Sequence, residues 1–72
     1  MTFQEKLQLL QRLHHLIRRK ATGSPLELTR RLSVSRAALF RYLDILKSYG
    51  APVYYCSERE SYCYEHEFEL IF

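Results

Sequence analysis

The chain has 72 residues, 47% of them hydrophobic and 26% charged, with a net charge of +3 at neutral pH. That length suits one domain with a small core, and the apolar share argues against disorder. It leaves little room for an enclosed active site, and no apolar run approaches the ~20 residues of a membrane-spanning helix, so neither an enzyme nor an integral membrane protein is expected.

Residues 2–20 read as an amphipathic helix. Thr2 and Glu5 have the spacing of a capping box. Phe3, Leu7, Leu10, His14 and Ile17 recur at helical spacing. Leu9, Leu13 and Leu16 widen this stripe to about half the circumference. So broad a stripe either packs on two sides within one chain or lends Leu9 and Leu16 to a second copy. Ala21-Thr22-Gly23 ends the helix and could form a very short strand.

Residues 24–32 read as a second helix. Ser24 caps it, Pro25 suits its first position, and Glu27 completes a capping box. Leu28 and Leu32 face inward, and Thr29 sits where two helices touch. Residues 35–49 read as a third helix, capped by Ser35. Leu39, Leu43 and Leu46 form its inward row, flanked by Ala38 and Tyr42. Arg36, Ala37, Phe40, Arg41, Asp44 and Lys47 lie outward. Gly50 ends this helix and Pro52 prevents its continuation. Two capped helices joined by Ser33-Val34 fit a helix-turn-helix, which lays its second helix in the DNA major groove. Val34 is expected to plug the core.

From Val53 the period becomes two. Val53-Tyr54-Tyr55-Cys56 and Tyr62-Cys63-Tyr64-Glu65, joined by residues 57–61, predict a hairpin over residues 53–65. Alternation turns Val53, Tyr55, Tyr62 and Tyr64 toward the core, and Tyr54, Cys56 and Cys63 away. A lone hairpin is marginal, so it must lie on the helices. The expected fold class is α+β, a three-helix helix-turn-helix core followed by a C-terminal β-hairpin wing, or winged helix. Residues 1–72 make one domain, with 66–72 a tail of unassigned role.

The Leu32-Ser33-Val34-Ser35-Arg36 turn, the Leu39-Phe40-Arg41 stretch and the Gly50-Ala51-Pro52-Val53 lead into the hairpin resemble winged helix-turn-helix domains of bacterial transcription regulators, of the DeoR-like and biotin-repressor-like kind. The resemblance runs from Leu7 to Tyr64. It implies sequence-specific binding of duplex DNA by a small transcription regulator, with the third helix as recognition helix. The family often adds a sensor or catalytic domain after the wing; the resemblance here is to the isolated DNA-binding module, or to a small protein built only of it. The family pattern has a small residue, usually alanine, where Thr29 stands, and often glycine at Ser33. A left-handed serine costs on the order of 1 kcal/mol relative to glycine. Ala37 and Ala38 stand where basic and polar residues are common, leaving fewer side chains to read bases.

Charge is divided along the chain. Residues 12–47 carry nine Lys and Arg against Glu27 and Asp44, whereas residues 53–72 carry Arg59 against five Glu. The basic part suits a polyanion. Arg36 and Arg41 are the candidates for base contact, since an arginine can bridge O6 and N7 of guanine. Ser35 and Ala37 lie beside them. Phe40 either packs on a sugar or thymine methyl or covers the core. Ser24, Lys47 and Arg31, with Thr22, Arg18, Arg19, Lys20 and Arg30, are candidate phosphate contacts, which fix position without reading sequence. The acidic tip Glu58-Arg59-Glu60 should repel phosphates. That favours an alternative, protein–protein interaction or dimerisation through the hairpin and tail, with Tyr54, Tyr64, Phe68, Leu70, Ile71 and Phe72 as the adhesive set.

Double-stranded DNA and a second copy of the chain are the expected partners, with no membrane or small-molecule ligand. The N-terminus lacks the charged-then-apolar layout of a secretory signal, which predicts a cytoplasmic protein. Cys56 and Cys63 face one side of the hairpin, and in that compartment are expected as free thiols. With His66 they lack a fourth ligand, so no metal is expected. His14 is expected partly buried and His15 in solvent. No catalytic constellation is recognisable, and no cofactor is expected.

Overall fold

The structure, a computed structural model, describes residues 2–70. Three helices precede one hairpin: α1 (Phe3–Arg18), α2 (Pro25–Leu32), α3 (Arg36–Ser48), β1 (Val53–Cys56) and β2 (Ser61–Tyr64). This α+β order is compatible with the expected winged-helix layout. No helix among the described residues is long and apolar enough to cross a membrane.

Each helix starts on a hydroxyl. Thr2, Ser24 and Ser35 accept from the backbone N–H groups of Glu5, Glu27 and Ala38, at 3.2, 3.2 and 3.1 Å. Each also ends in the same way, with one left-handed residue and paired bonds back to the last carbonyls. For α1 the left-handed residue is Lys20, with Ala21 N–H donating to the Leu16 carbonyl at 3.0 Å. For α2 it is Ser33, with Val34 donating to Thr29 at 3.0 Å. For α3 it is Gly50, with Ala51 donating to Leu46 at 3.1 Å. The first helix is shorter than the expected 2–20 because Arg19 and Lys20 already belong to this turn. Thr29 tolerates its crowded position because its hydroxyl donates to the Leu26 carbonyl at 2.6 Å.

The core is leucine-rich. Leu13, Ile17, Leu28, Leu39 and Leu46 are wholly buried, with Leu9, Leu10, Leu32, Tyr42, Leu43, Ala51 and Tyr62 around them. Val34 packs against this cluster from the turn, as expected. Burying five such side chains contributes about 1.5–3 kcal/mol each before the entropy of ordering is charged. Leu9 is buried within the chain and Leu16 packs partly against the core, which corrects the idea that both meet a second copy. Phe3 is 68% exposed, so the stripe does not extend to the start of α1.

The hairpin is antiparallel, with Val53 opposite Tyr64, Tyr54 opposite Cys63, Tyr55 opposite Tyr62 and Cys56 opposite Ser61. Cys56 and Cys63 are therefore diagonal, and both are free thiols. Both faces of β2 are covered, so Ser61, Tyr62 and Cys63 are all buried. Cys63, expected away from the core, is wholly buried. It lies directly across from Tyr54, and its thiol donates to the Ser61 carbonyl at 3.7 Å. No strand forms at residues 21–23. Thr22 instead joins β2 through hydroxyls: Thr22 N–H donates to Ser61 Oγ at 3.2 Å and Tyr62 N–H donates to Thr22 Oγ1 at 2.8 Å.

The tail crosses α1. Phe68 and Leu70 pack against the core, and Phe68 meets His14 and Tyr64 edge-on at 5.9 and 5.3 Å between ring centres. Arg18 pairs with Glu69 at 3.0 Å. Tyr64, Phe68 and Leu70 thus serve the chain's own core, which corrects their assignment to an adhesive surface. Ile71 and Phe72, also assigned there, lie outside the described residues.

Candidate nucleic-acid interface

With Leu39, Leu43 and Leu46 committed to the core, the helical repeat turns Arg36, Ala37, Phe40, Arg41, Asp44 and Lys47 outward, and all six are exposed. Phe40 is 44% exposed, so its ring is available at the surface and gives the core partial cover at most. Arg36 and Arg41 are five positions apart, or about 140° around the helix axis. They therefore head two different rows. Arg36 shares its row with Phe40 and Lys47; Arg41 shares its own with Ala37 and Asp44.

The Arg36 row lies toward the hairpin. Burial pushes the Tyr62 hydroxyl above its ordinary pKa, Tyr55 adds to that push, and the nearby Arg36 charge opposes it. Tyr55 is 39% exposed, with its ring edge-on to Tyr62 at 5.1 Å. Alternation expects Tyr55 in the core, yet it is exposed, because alternation gives a residue's face but not how far along the strand the helices extend.

Around α3 the expected contacts separate. Ser35, the α3 cap, is exposed, whereas Ser24, the α2 cap, is half-buried. Lys47 is exposed on α3, and Arg30, Arg19 and Lys20 are exposed elsewhere. Arg31 belongs to another surface: it lines a groove with Arg12, His15 and Leu16 of α1 and with Arg19, the cap of that helix. There Arg12 donates from its guanidinium to the Arg31 carbonyl at 3.2 Å, satisfying the C-terminal end of α2. Arg18 is engaged by Glu69. Thr22 is wholly buried, so its assignment as a phosphate contact is corrected. The tip residues Glu58, Arg59 and Glu60 are all exposed.

On the far side of α1, His14 is 5% exposed, and its Nδ1 is 2.8 Å from the Tyr64 hydroxyl. Burial lowers its pKa, His15 and Arg18 lower it further, and Glu69 opposes them. Burial also pushes the Tyr64 hydroxyl up to about 12. Among the described residues, no three His, Cys, Asp or Glu side chains are placed to hold a metal ion.

Compared with known proteins, the chain matches no family model, no curated protein and no solved structure.

Proposed function

We propose that this chain is a winged-helix protein that binds duplex DNA as a small transcription regulator, with α3 as its recognition helix. The observation that carries this reading is the outward face of α3. It presents Arg36, Arg41 and Lys47 on a rigid, capped helix reached through a three-residue turn, Ser33 to Ser35. Among the described residues the ion pair is Arg18–Glu69, so these three charges are not neutralised within the chain. In the major groove, Arg36 and Arg41 approach base edges from two rows, Phe40 offers a ring to a sugar or thymine methyl, and Ser35, Ser24 and Lys47 meet phosphates. Ala37 lets the backbone approach closely.

One such module touches few base pairs, so the working form is a homodimer in the cytoplasm, on two half-sites. With Leu9 and Phe68 packed inside, the free edge of β1 is the remaining surface suited to self-pairing. Glu65 N–H donates to the Pro52 carbonyl at 2.9 Å, which sets the ladder's alternation. It turns the backbone groups of Tyr55 outward. The acidic tip beside this edge favours the second reading, a winged helix that binds protein rather than DNA.

A mobility-shift titration of random duplex at two salt concentrations separates the readings. The DNA reading expects binding that weakens steeply as salt rises, through counterion release. Absence of salt-sensitive binding rejects it in favour of the protein-binding form.

A further inference from the structure

Helix α1 and its C-cap carry two adjacent doublets, His14-His15 and Arg18-Arg19. In each register a histidine and an arginine lie four apart, so they share one strip of the helix surface. The chain itself shows what the first register holds. His14 meets the Phe68 ring edge-on at 5.9 Å, and Arg18 pairs with Glu69 at 3.0 Å. A tail segment that alternates acidic and apolar residues thus sets its ring on His14 and Tyr64 and its carboxylate on Arg18.

The second register, His15 and Arg19, is turned about 100° from the first. It opens on a groove of about 380 Å³ floored by Leu16 and flanked by Arg12 and Arg31. Leu16 is half-buried, which leaves an apolar surface at the bottom. Arg12 is held to the Arg31 carbonyl at 3.2 Å, so one guanidinium is already positioned. Among the described residues no carboxylate lines the groove.

We infer that this groove is a docking site for an extended acidic–aromatic segment of a protein partner, chemically like the chain's own Glu67-Phe68-Glu69. The aromatic ring sits on Leu16 and His15, and the flanking carboxylates take charge-assisted hydrogen bonds from Arg19 and Arg31. A nucleic-acid backbone would use the arginines but has no need of the apolar floor, which is why a peptide fits better. The site lies on α1 and the end of α2, and it is independent of the DNA reading of α3.

The test titrates the full chain with a fluorescein-labelled peptide, Glu-His-Glu-Phe-Glu-Leu, followed by anisotropy and by amide shifts in ¹⁵N spectra. Expected are saturable one-to-one binding and shifts at His15, Leu16 and Arg19. Arg19→Glu with Arg31→Glu, both at exposed positions, weakens binding by about a hundredfold, since each of the two charge-assisted bonds removed is worth roughly tenfold. Arg36→Ala with Arg41→Ala leaves peptide binding unchanged. A peptide with serine in place of phenylalanine binds at least tenfold more weakly. The inference is overturned by absence of saturation, or by equal binding of the serine peptide, which indicates a general polyanion patch. It is also overturned by shifts centred on His14 and Arg18 with no effect of the double charge reversal, which indicates displacement of the chain's own tail.

Discussion

The hydroxyl oxygens of Thr22 and Ser61 lie 3.1 Å apart, both buried, and tie the loop after α1 to the first residue of β2. The Thr22 hydroxyl hydrogen has two acceptors, Ser61 Oγ and the Gly23 carbonyl at 2.9 Å. The Ser61 hydroxyl donates to the Tyr62 carbonyl at 2.9 Å. Backbone N–H groups of Thr22 and Tyr62 complete the set, so a buried polar network takes the place of a third strand.

Ser61→Ala leaves the Thr22 N–H without its acceptor. An unsatisfied buried donor costs roughly 1–3 kcal/mol. Urea denaturation should show a loss of that size for Ser61→Ala and for Thr22→Val. The double variant should lose clearly less than the sum, because both changes break one network. Strict additivity would show that the two hydroxyls act separately.

Ser33 holds φ 56° and ψ 47° at the end of α2, a conformation that penalises a side chain. Its side chain is exposed, so removing it gives up little packing. Ser33→Gly should stabilise the chain by about 1 kcal/mol, raising the thermal midpoint by roughly 4–8 °C in a domain of this size. A fall in the midpoint would mean that the serine hydroxyl contributes more than the backbone strain removes.

His14 makes stability depend on pH. Its folded-state pKa lies below its ordinary value of 6.5. As pH falls through that value, the unfolded chain takes up the proton before the folded chain does. Stability is therefore full above about pH 6.5 and declines on the acid side. On the alkaline side, Tyr64 is held neutral up to about 12 against an ordinary value of 10.0, so stability also declines as pH rises past 10. Thermal midpoints from pH 5 to 7 should fall toward acid more steeply in the wild type than in His14→Gln. That variant keeps a partner for Tyr64 and does not titrate. Parallel profiles would remove His14 as the cause.

The elements were legible in the sequence where one local rule decided them. Ser24 with Glu27, Ser35, Gly50 and the Leu39–Leu43–Leu46 row all predict what forms, because caps and helical periodicity act over a few residues. What was not legible depends on distant partners. Thr22 reads as a loop hydroxyl, and only Ser61, 39 positions away, makes it part of the core. Phe68 reads as sticky surface because nothing local says that it closes over His14, whereas alternation does turn Tyr64 toward the core. Alternation places Cys63 away from the core, yet it is wholly buried, on the strand face it shares with Ser61, whose hydroxyl meets the distant Thr22. The α3 residues are identifiable as a set, and the helical repeat divides them into an Arg36 row and an Arg41 row, but that Arg36 comes near the Tyr62 hydroxyl depends on how the hairpin packs.

The central claim is that α3 reads duplex DNA. Arg36→Ala combined with Arg41→Ala, titrated against duplex across a salt series, tests it most directly. Both positions are exposed, so the circular dichroism should be unchanged. The account predicts weaker binding at every salt concentration, by up to about 1–3 kcal/mol for each arginine–base pairing removed, with a shallower salt slope. Affinity equal to the wild type throughout the series would contradict it.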